Sequence, residues 1–406
     1  MLEFVAGTQP GHPARMHPRL LFHLVCAAAA PLVVRSKTYD AEFVARQIGR
    51  EANTLATCWR YLRSFGLSGL PPNRRFDPIR YVERNHPFAP HAIHPLIAHI
   101  TYGERRGYDP AGSVWGCAGV AGPNERIDAV FLPLRLGVHA HIYHSELVPE
   151  LAARLSRLPP DSTVFVTMVT DGPSAGSEDL PQSIERHIPR ATLVRVPNRG
   201  RDIWPFMMLL RDGAFRDFDI VLKIHTKTSP SLQPAPIAGA AWRRRMLFEL
   251  LGSKPAIRAI VGRFAETPDL GLIGAAGLRV PSYLLSRREA LGSNSSAVRQ
   301  LASRAGINPV ATDFFAGSMF WVRPRALEPL LKLNLSAADF PVEQGQFDGT
   351  PQHAIERLFL AAAECSGFRV EDTLDCAPTD RAMLGETAVT LPEYLVFGDQ
   401  AIPQRA

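Results

Sequence analysis

From about residue 126 onward, short apolar runs alternate with segments whose apolar residues recur at helical spacing. "RIDAVFLPLRLGVHAHIY" (126–143) is rich in β-formers, and "SELVPELAARLSRL" (145–158) follows with a helical pattern. Then come "STVFVTMV" as a strand, "EDLPQSIERHI" as a helix, "ATLVRV" as a strand, "DIWPFMMLLRDGA" as a helix and "FDIVLKIH" as a strand. Pro205 falls in the first turn of its helix, where a missing N–H costs little. Strands apolar on both faces, alternating with helices of this length, predict a mostly parallel sheet flanked by helices. Further on, "AAWRRRMLFELLGS", "PAIRAIVGRFAE" and "RALEPLLKL" read as helices, "LGLIGAAG" and "FFAGSMFWVRP" as strands. "EQGQFDGTPQHAIERLFLAAAECSG" (343–367) reads as a loop leading into one helix.

Before residue 119 that alternation is missing. The segment 1–118 is predicted to be mainly helical and irregular, with Pro-rich breaks near Pro71-Pro72, Pro87, Pro95 and Pro110. Its longest apolar stretch, "LLFHLVCAAAAPLVV" (20–34), is shorter than a bilayer span and suits a buried or membrane-surface helix. An α/β domain is expected over 119–395, and a tail over 396–406.

The polar residues that matter sit at strand ends, the rim where parallel α/β sheets collect ligands. "PNRGRDIWPF" (197–206) follows one strand: Gly200 suits a turn, Asp202 a helix N-cap, and Arg199 and Arg201 suit a diphosphate beside helix N-terminal amides. Asn198 belongs to the same turn. The next strand ends in His225, Thr226, Lys227, Thr228 and Ser229, a phosphate or sugar site with Lys227 as its fixed cation. Lys223 lies within that strand and needs a partner if buried. Asp217-Phe218-Asp219 looks like a metal-binding D-x-D but precedes its strand, which makes it a solvated strand start. His139 and His141 share one face of a strand, as a metal pair or as core or rim histidines. His353, Glu356 and Arg357 share a helical face opposite Ala354, Leu358, Ala361 and Cys365, while Glu343 and Asp348 in the preceding loop are candidate general bases.

Composition narrows the picture slightly. A net charge of +6 suits an anionic partner, and basic residues at strand ends rather than along one helix argue against nucleic acid. Five cysteines without a CxxC pair indicate neither a disulfide framework nor a zinc site, and fit the cytoplasm.

In order along the chain, "VHAHIYHSEL", "PNRGRDIWPF", "VLKIHTKTS", "AGSMFWVRPRAL" and "EQGQFDGTPQHAIERL" resemble the rhamnan synthesis protein F family of bacterial glycosyltransferases. "FDPIRYVERNHPF" and "HPLIAHITYGERRGYDP" are similar to a short module that accompanies many such enzymes. The resemblance implies a GT-A-like fold and transfer from a nucleotide-sugar such as dTDP-rhamnose to a glycan or lipid-linked acceptor, in cell-surface polysaccharide or lipopolysaccharide synthesis. A cytoplasmic protein, peripheral at the inner membrane, is then expected. On that basis Asn198, Arg199, Gly200, Arg201, Asp202, His225, Thr226, Lys227, His139 and His353 are the candidate substrate-binding residues. Asp348, or failing that Glu343, would deprotonate the acceptor. The strand end that usually carries a metal-binding D-x-D carries His225-Thr226-Lys227 here, so no cofactor is expected and fixed cations would replace the ion. Mg²⁺ or Mn²⁺ held by a carboxylate such as Asp171 is the alternative. A non-catalytic accessory protein that binds the glycan or the nucleotide-sugar is the alternative function.

Overall fold

The computed structural model describes residues 18–52, 54–64, 69–85, 93–108, 134–169, 179–229, 237–281, 287–308, 313–346 and 348–376. An N-terminal helical layer comes first: α1 (Pro18–Val34), α2 (Ala41–Ile48), α3 (Leu55–Arg63), α4 (Pro78–Arg84) and α5 (Pro95–Ala98). Side-chain oxygens start three of these helices. Asp40 accepts from Phe43 N, Thr54 from Thr57 N, and Asp77 from Ile79 and Arg80 N, each satisfying an otherwise orphaned amide. Cys26, Ala30 and Val33 of α1 pack with Phe43, Val44, Tyr61, Leu62, Phe76 and Tyr81 into a core of their own.

The α/β part carries β1 (Leu136–Ile142), α6 (Val148–Leu155), β2 (Thr163–Val169), α7 (Asp179–His187), β3 (Thr192–Val196), α8 (Ile203–Arg211), β4 (Ile220–His225), α9 (Ile237–Leu251) and α10 (Lys254–Glu266). After them come β5 (Leu270–Gly274), β6 (Arg279–Val280), α11 (Ser295–Ala305), β7 (Phe314–Phe315), β8 (Phe320–Val322), α12 (Pro351–Glu356), α13 (Phe359–Cys365) and β9 (Arg369–Asp372). The seven-stranded sheet has the order β3-β2-β1-β4-β8-β5-β9, with β8 antiparallel to both neighbours and the remaining pairs parallel. The α/β expectation with its mainly parallel sheet holds.

Period-2 alternation divides the strands between two cores. Val138, Ala140, Ile142, Leu222 and Ile224 face α6, α7, α9 and α10, whereas Val221, Leu272, Phe320 and Val322 face α8, α11, α12 and α13. Two sequence expectations change in detail. "FFAGSMFWVRP" splits at Ala316–Ser318, so that β7 pairs with β6 while β8 joins the main sheet. The last helix breaks at Arg357 and Leu358, and Cys365, the final residue of its second piece, is exposed rather than on the apolar face with Ala361. The polar edge strand β9 has too few residues for any alternation to show.

Between the helical layer and the sheet domain lies a buried ionic cluster. Arg80 donates to both oxygens of Glu249 on α9 at 2.8 and 2.9 Å, Arg245 binds Asp77, and Thr373 Oγ1 donates to Glu249 at 2.6 Å. Two guanidiniums and two carboxylates leave no net charge in this dry contact, the condition under which buried ions are tolerated.

Candidate functional site

The strand order reverses beside β1. The β1–β2–β3 connections run one way through α6 and α7 on one face, then α8 returns on the other face to place β4 against the free side of β1. Such a reversal opens a crevice at the carboxyl ends of the two strands. The residues there are polar in a register-matched row: His141 lies opposite Thr167 on β2 and His225 on β4, and one step deeper His139 lies opposite Lys223.

Lys223 is fully buried, ringed by Phe206, Phe320 and Phe359 at 5.6–5.8 Å. Its ammonium donates to Asp202 Oδ2 at 2.5 Å and to Ser318 O at 2.8 Å, with Ser318 Oγ at 3.3 Å. Ser318 Oγ also donates to Asp202 at 2.6 Å. Burial opposes the Asp202 charge; the Lys223 ammonium and these hydrogen bonds overcome it and hold the carboxyl well below the usual range. Asp202 does occupy the position before α8, but its side chain caps no amide there; it anchors Lys223 instead. This is how the ends of β3 and β4 meet although β2 and β1 lie between them.

Above the pair, His225 Nδ1 stands 3.5 Å from Asp202, and burial lowers the His225 pKa well below its ordinary value, so the ring is neutral. Lys227 is only partly buried and places its ammonium 4.2 Å from the centroid of the half-buried Trp242 ring. Burial lowers its pKa, against the pull of Glu356 and Asp202. The backbone at this position is fixed, because Arg243 donates to Lys227 O at 2.6 Å and to Glu150 at 2.9 Å. Glu356 accepts the Gly317 amide at 2.8 Å.

Arg201, with φ +53°, turns towards the loop before α12. It forks onto Glu343 through Nε and Nη2, both at 3.0 Å, donates to Gln346 O at 2.5 Å, and donates through Nη1 to His353 Nε2 at 3.1 Å. A nitrogen that accepts from a guanidinium carries no proton, so His353 holds its proton on Nδ1 and donates it to Thr350 Oγ1 at 2.7 Å. Burial and Arg201 lower the His353 pKa to about 4. Gly200, at φ +65°, leaves room that a Cβ would fill within 2.5 Å of Trp204 Cβ and 2.7 Å of the Phe340 ring. Asn198 is half-buried in the same turn.

Several candidates occupy places other than those the sequence suggested. His139 is fully buried, its Nε2 2.8 Å from Thr167 Oγ1, which also lies 2.9 Å from His141 Nδ1; it belongs to the floor and has no face open to a ligand. Thr226 is buried too, and its hydroxyl accepts the Tyr143 and His144 amides at 2.9 and 3.0 Å, which ties β4 to β1. Arg199 donates to Phe340 O at 2.7 Å and pairs through its backbone with Val342. Asp348 accepts from Ser293 N at 2.9 Å, Ser293 Oγ at 3.1 Å and Asn294 Nδ2. Burial opposes its charge, and those bonds hold its pKa below the ordinary value. Glu343 is likewise held low: burial acts against the charge and the Arg201 fork prevails.

The D-x-D reading resolves as a strand start, since Asp219 accepts from Arg135 N at 2.8 Å at the amino end of β4. Among the described residues no group of three or more His, Cys, Asp and Glu is placed to hold a metal ion, and Asp171 lies outside the described residues. Sequence reasoning missed Ser318 and Trp242 as parts of the site. The small pair Gly317-Ser318 interrupting an apolar run was the available signal; Ser318 indeed sits at φ +49°.

Two proteins named WxcX, from two strains of Xanthomonas campestris pv. campestris and described only as uncharacterized, are 40% identical over 210 residues and 39% identical over 209. In each case about half of this chain is covered, and the chain spans 29% of the relative's length. The model of the rhamnan synthesis protein F family matches residues 123–367, more than half of the 406, from just before β1 to just before β9. The chain therefore belongs to the rhamnan synthesis protein F family.

Proposed function

We propose that this chain is a glycosyltransferase of bacterial cell-surface polysaccharide or lipopolysaccharide synthesis. It would take a sugar from a nucleotide-activated donor of the dTDP-rhamnose kind and pass it to a glycan or lipid-linked acceptor. The observation that carries this reading is the position of Lys227: a cation with a fixed backbone, at the crevice between β1 and β4, above the ionised Asp202–Lys223 pair. In the reaction the acceptor oxygen bonds to the anomeric carbon, the bond from that carbon to the phosphate oxygen breaks, and the diphosphate leaves with the electron pair. Lys227 would meet that growing charge, and a preorganised cation in a partly dry site stabilises such charge strongly. Arg201, engaged with Glu343 and His353, would shape the crevice wall and not contact the diphosphate in this arrangement. Asp348 is the first candidate to take the acceptor proton, Glu343 the second; Glu356, close enough to influence Lys227, is a third that the structure adds.

The test is release of nucleoside diphosphate from a nucleotide-sugar panel in the presence of membrane extract. Lys227→Ala should lower turnover by about 10²–10³-fold, the usual cost of removing one such group. Asp348→Asn, Glu343→Gln and Glu356→Gln, run side by side, identify the base as the variant with the largest loss in kcat. Full turnover in Lys227→Ala would remove the assignment. Turnover should also survive EDTA, because fixed cations are not chelated; loss restored by Mg²⁺ or Mn²⁺ would favour a metal-assisted route instead.

One observation favours a second reading, a non-catalytic accessory that binds the nucleotide-sugar. Each nitrogen of Arg201 has a protein partner, and Asp348 and Glu343 both accept several hydrogen bonds. Donor binding by thermal shift without any product would support that reading.

A further inference from the structure

Of the six large hydrophobic side chains that stand exposed among the described residues, five lie on two helices of the N-terminal layer. Leu21, Leu24 and Leu32 belong to α1, Leu55 and Trp59 to α3. The two helices pack on each other, and Cys58 Sγ reaches Ala30 O at 3.8 Å. Leu21, Leu24, Ala28 and Leu32 follow three- and four-residue spacing, so they form one apolar stripe opposite the buried Cys26, Ala30 and Val33, and Arg35 continues its line. On α3 the exposed face is Leu55, Trp59, Arg60 and Arg63, with the Arg63 guanidinium 4.4 Å over the Trp59 ring. Between α2 and α3 a cavity of about 1080 Å³ is lined by Arg46, Arg50, Trp59, Arg60 and Arg63, with Glu51 as the acid among them. Over residues 18–64 seven Lys and Arg face three Asp and Glu, so this small part of the chain holds four of its six net positive charges.

We infer that the α3 surface of the N-terminal layer docks on an anionic phospholipid bilayer, with Trp59 and Leu55 entering the headgroup boundary, the arginines around them meeting lipid phosphates, and the separate α1 stripe adding apolar contact at its edge. Exposed leucines, an interfacial tryptophan and surrounding arginines are the combination that partitions into an anionic interface; a purely electrostatic phosphate site would not need the leucines. Among the described residues no helix is long and apolar enough to cross a membrane, so the contact is one of lying on the surface. Docking of this kind would hold the β1–β4 crevice near lipid-borne substrates, yet it depends on the α1 and α3 surface alone and stands whatever that crevice binds.

The experiment is cosedimentation of the 406-residue chain with vesicles of phosphatidylcholine, with and without phosphatidylglycerol, at low and high salt. Binding is expected to the anionic vesicles, weaker in high salt, and lower by about fivefold for each arginine removed in Arg60→Gln and Arg63→Gln. Leu24→Ser and Trp59→Ser, two independent changes at exposed positions checked for folding by thermal melting, should each weaken it as well. Equal binding to neutral vesicles, no binding, or competition by millimolar inorganic phosphate at constant ionic strength would overturn the inference. So would a dimer in sedimentation velocity that the same leucine and tryptophan changes dissolve, since the stripe would then be an interface between copies.

Discussion

A lysine without solvent contact keeps its charge only where every N–H finds an acceptor, and Lys223 meets that condition through Asp202 and Ser318 alone. Replacing it with methionine strands the Asp202 carboxylate, so Lys223→Met should cost about 3–5 kcal/mol in urea unfolding. Adding Asp202→Asn should recover part of that loss, because no lone charge then remains; a double variant no better than the single one would contradict the pairing. His353 offers a second check. Its folded pKa of about 4 lies below the ordinary 6.5, so the unfolded chain takes up the proton first as pH falls. Its stabilising contribution is complete above about pH 6.5 and declines as pH falls from there to about 4. Stability against pH in that window should therefore flatten in His353→Gln by up to about 1.4 kcal/mol per pH unit relative to wild type. An unchanged slope would mean that the ring does not titrate as the Arg201 contact requires.

At the level of elements, the turn between β3 and α8 joins two consecutive left-handed residues, Gly200 and Arg201, and only the first is a glycine. Gly200→Ala adds a methyl group into Trp204 and Phe340 and forces a side chain into the same backbone region, so a loss of about 1–3 kcal/mol is expected, read as a lower melting temperature. Normal stability would mean that the turn can adopt another path. The strands and helices from β1 to β4 were legible because their apolar runs are long and their helices amphipathic. β8 was not legible as an antiparallel strand: the register of Trp321 against Leu222 and Ile273 is a property of the sheet, not of "FWV". The site was readable as two polar strand ends, and Lys223 even declared its need for a partner. What sequence could not reveal is which polar residue serves the fold. Thr226, His139 and Arg199 look the same as Lys227 in composition, and only burial and bonding partners separate them.

In the whole molecule, α9 is the shared member. Glu249 and Arg245 hold the N-terminal layer, Ala241 enters that layer's core, and Trp242 and Arg243 hold Lys227 and its backbone. The N-terminal helices and the crevice are thus both tied to one helix of fifteen residues. The Asp202–Lys223–Ser318 contact has a further meaning for folding. Its members are separated by up to 116 residues, and Ser318 comes from the segment that must insert as the antiparallel strand between β4 and β5. Contacts of such long range form late, after the chain has paid for closing large loops. Until that insertion the lysine and the aspartate lack part of their solvation, so the crevice cannot be assembled in a half-folded chain. Ligand binding there should consequently appear only with the last kinetic phase of refolding, which makes the crevice a reporter of completed folding.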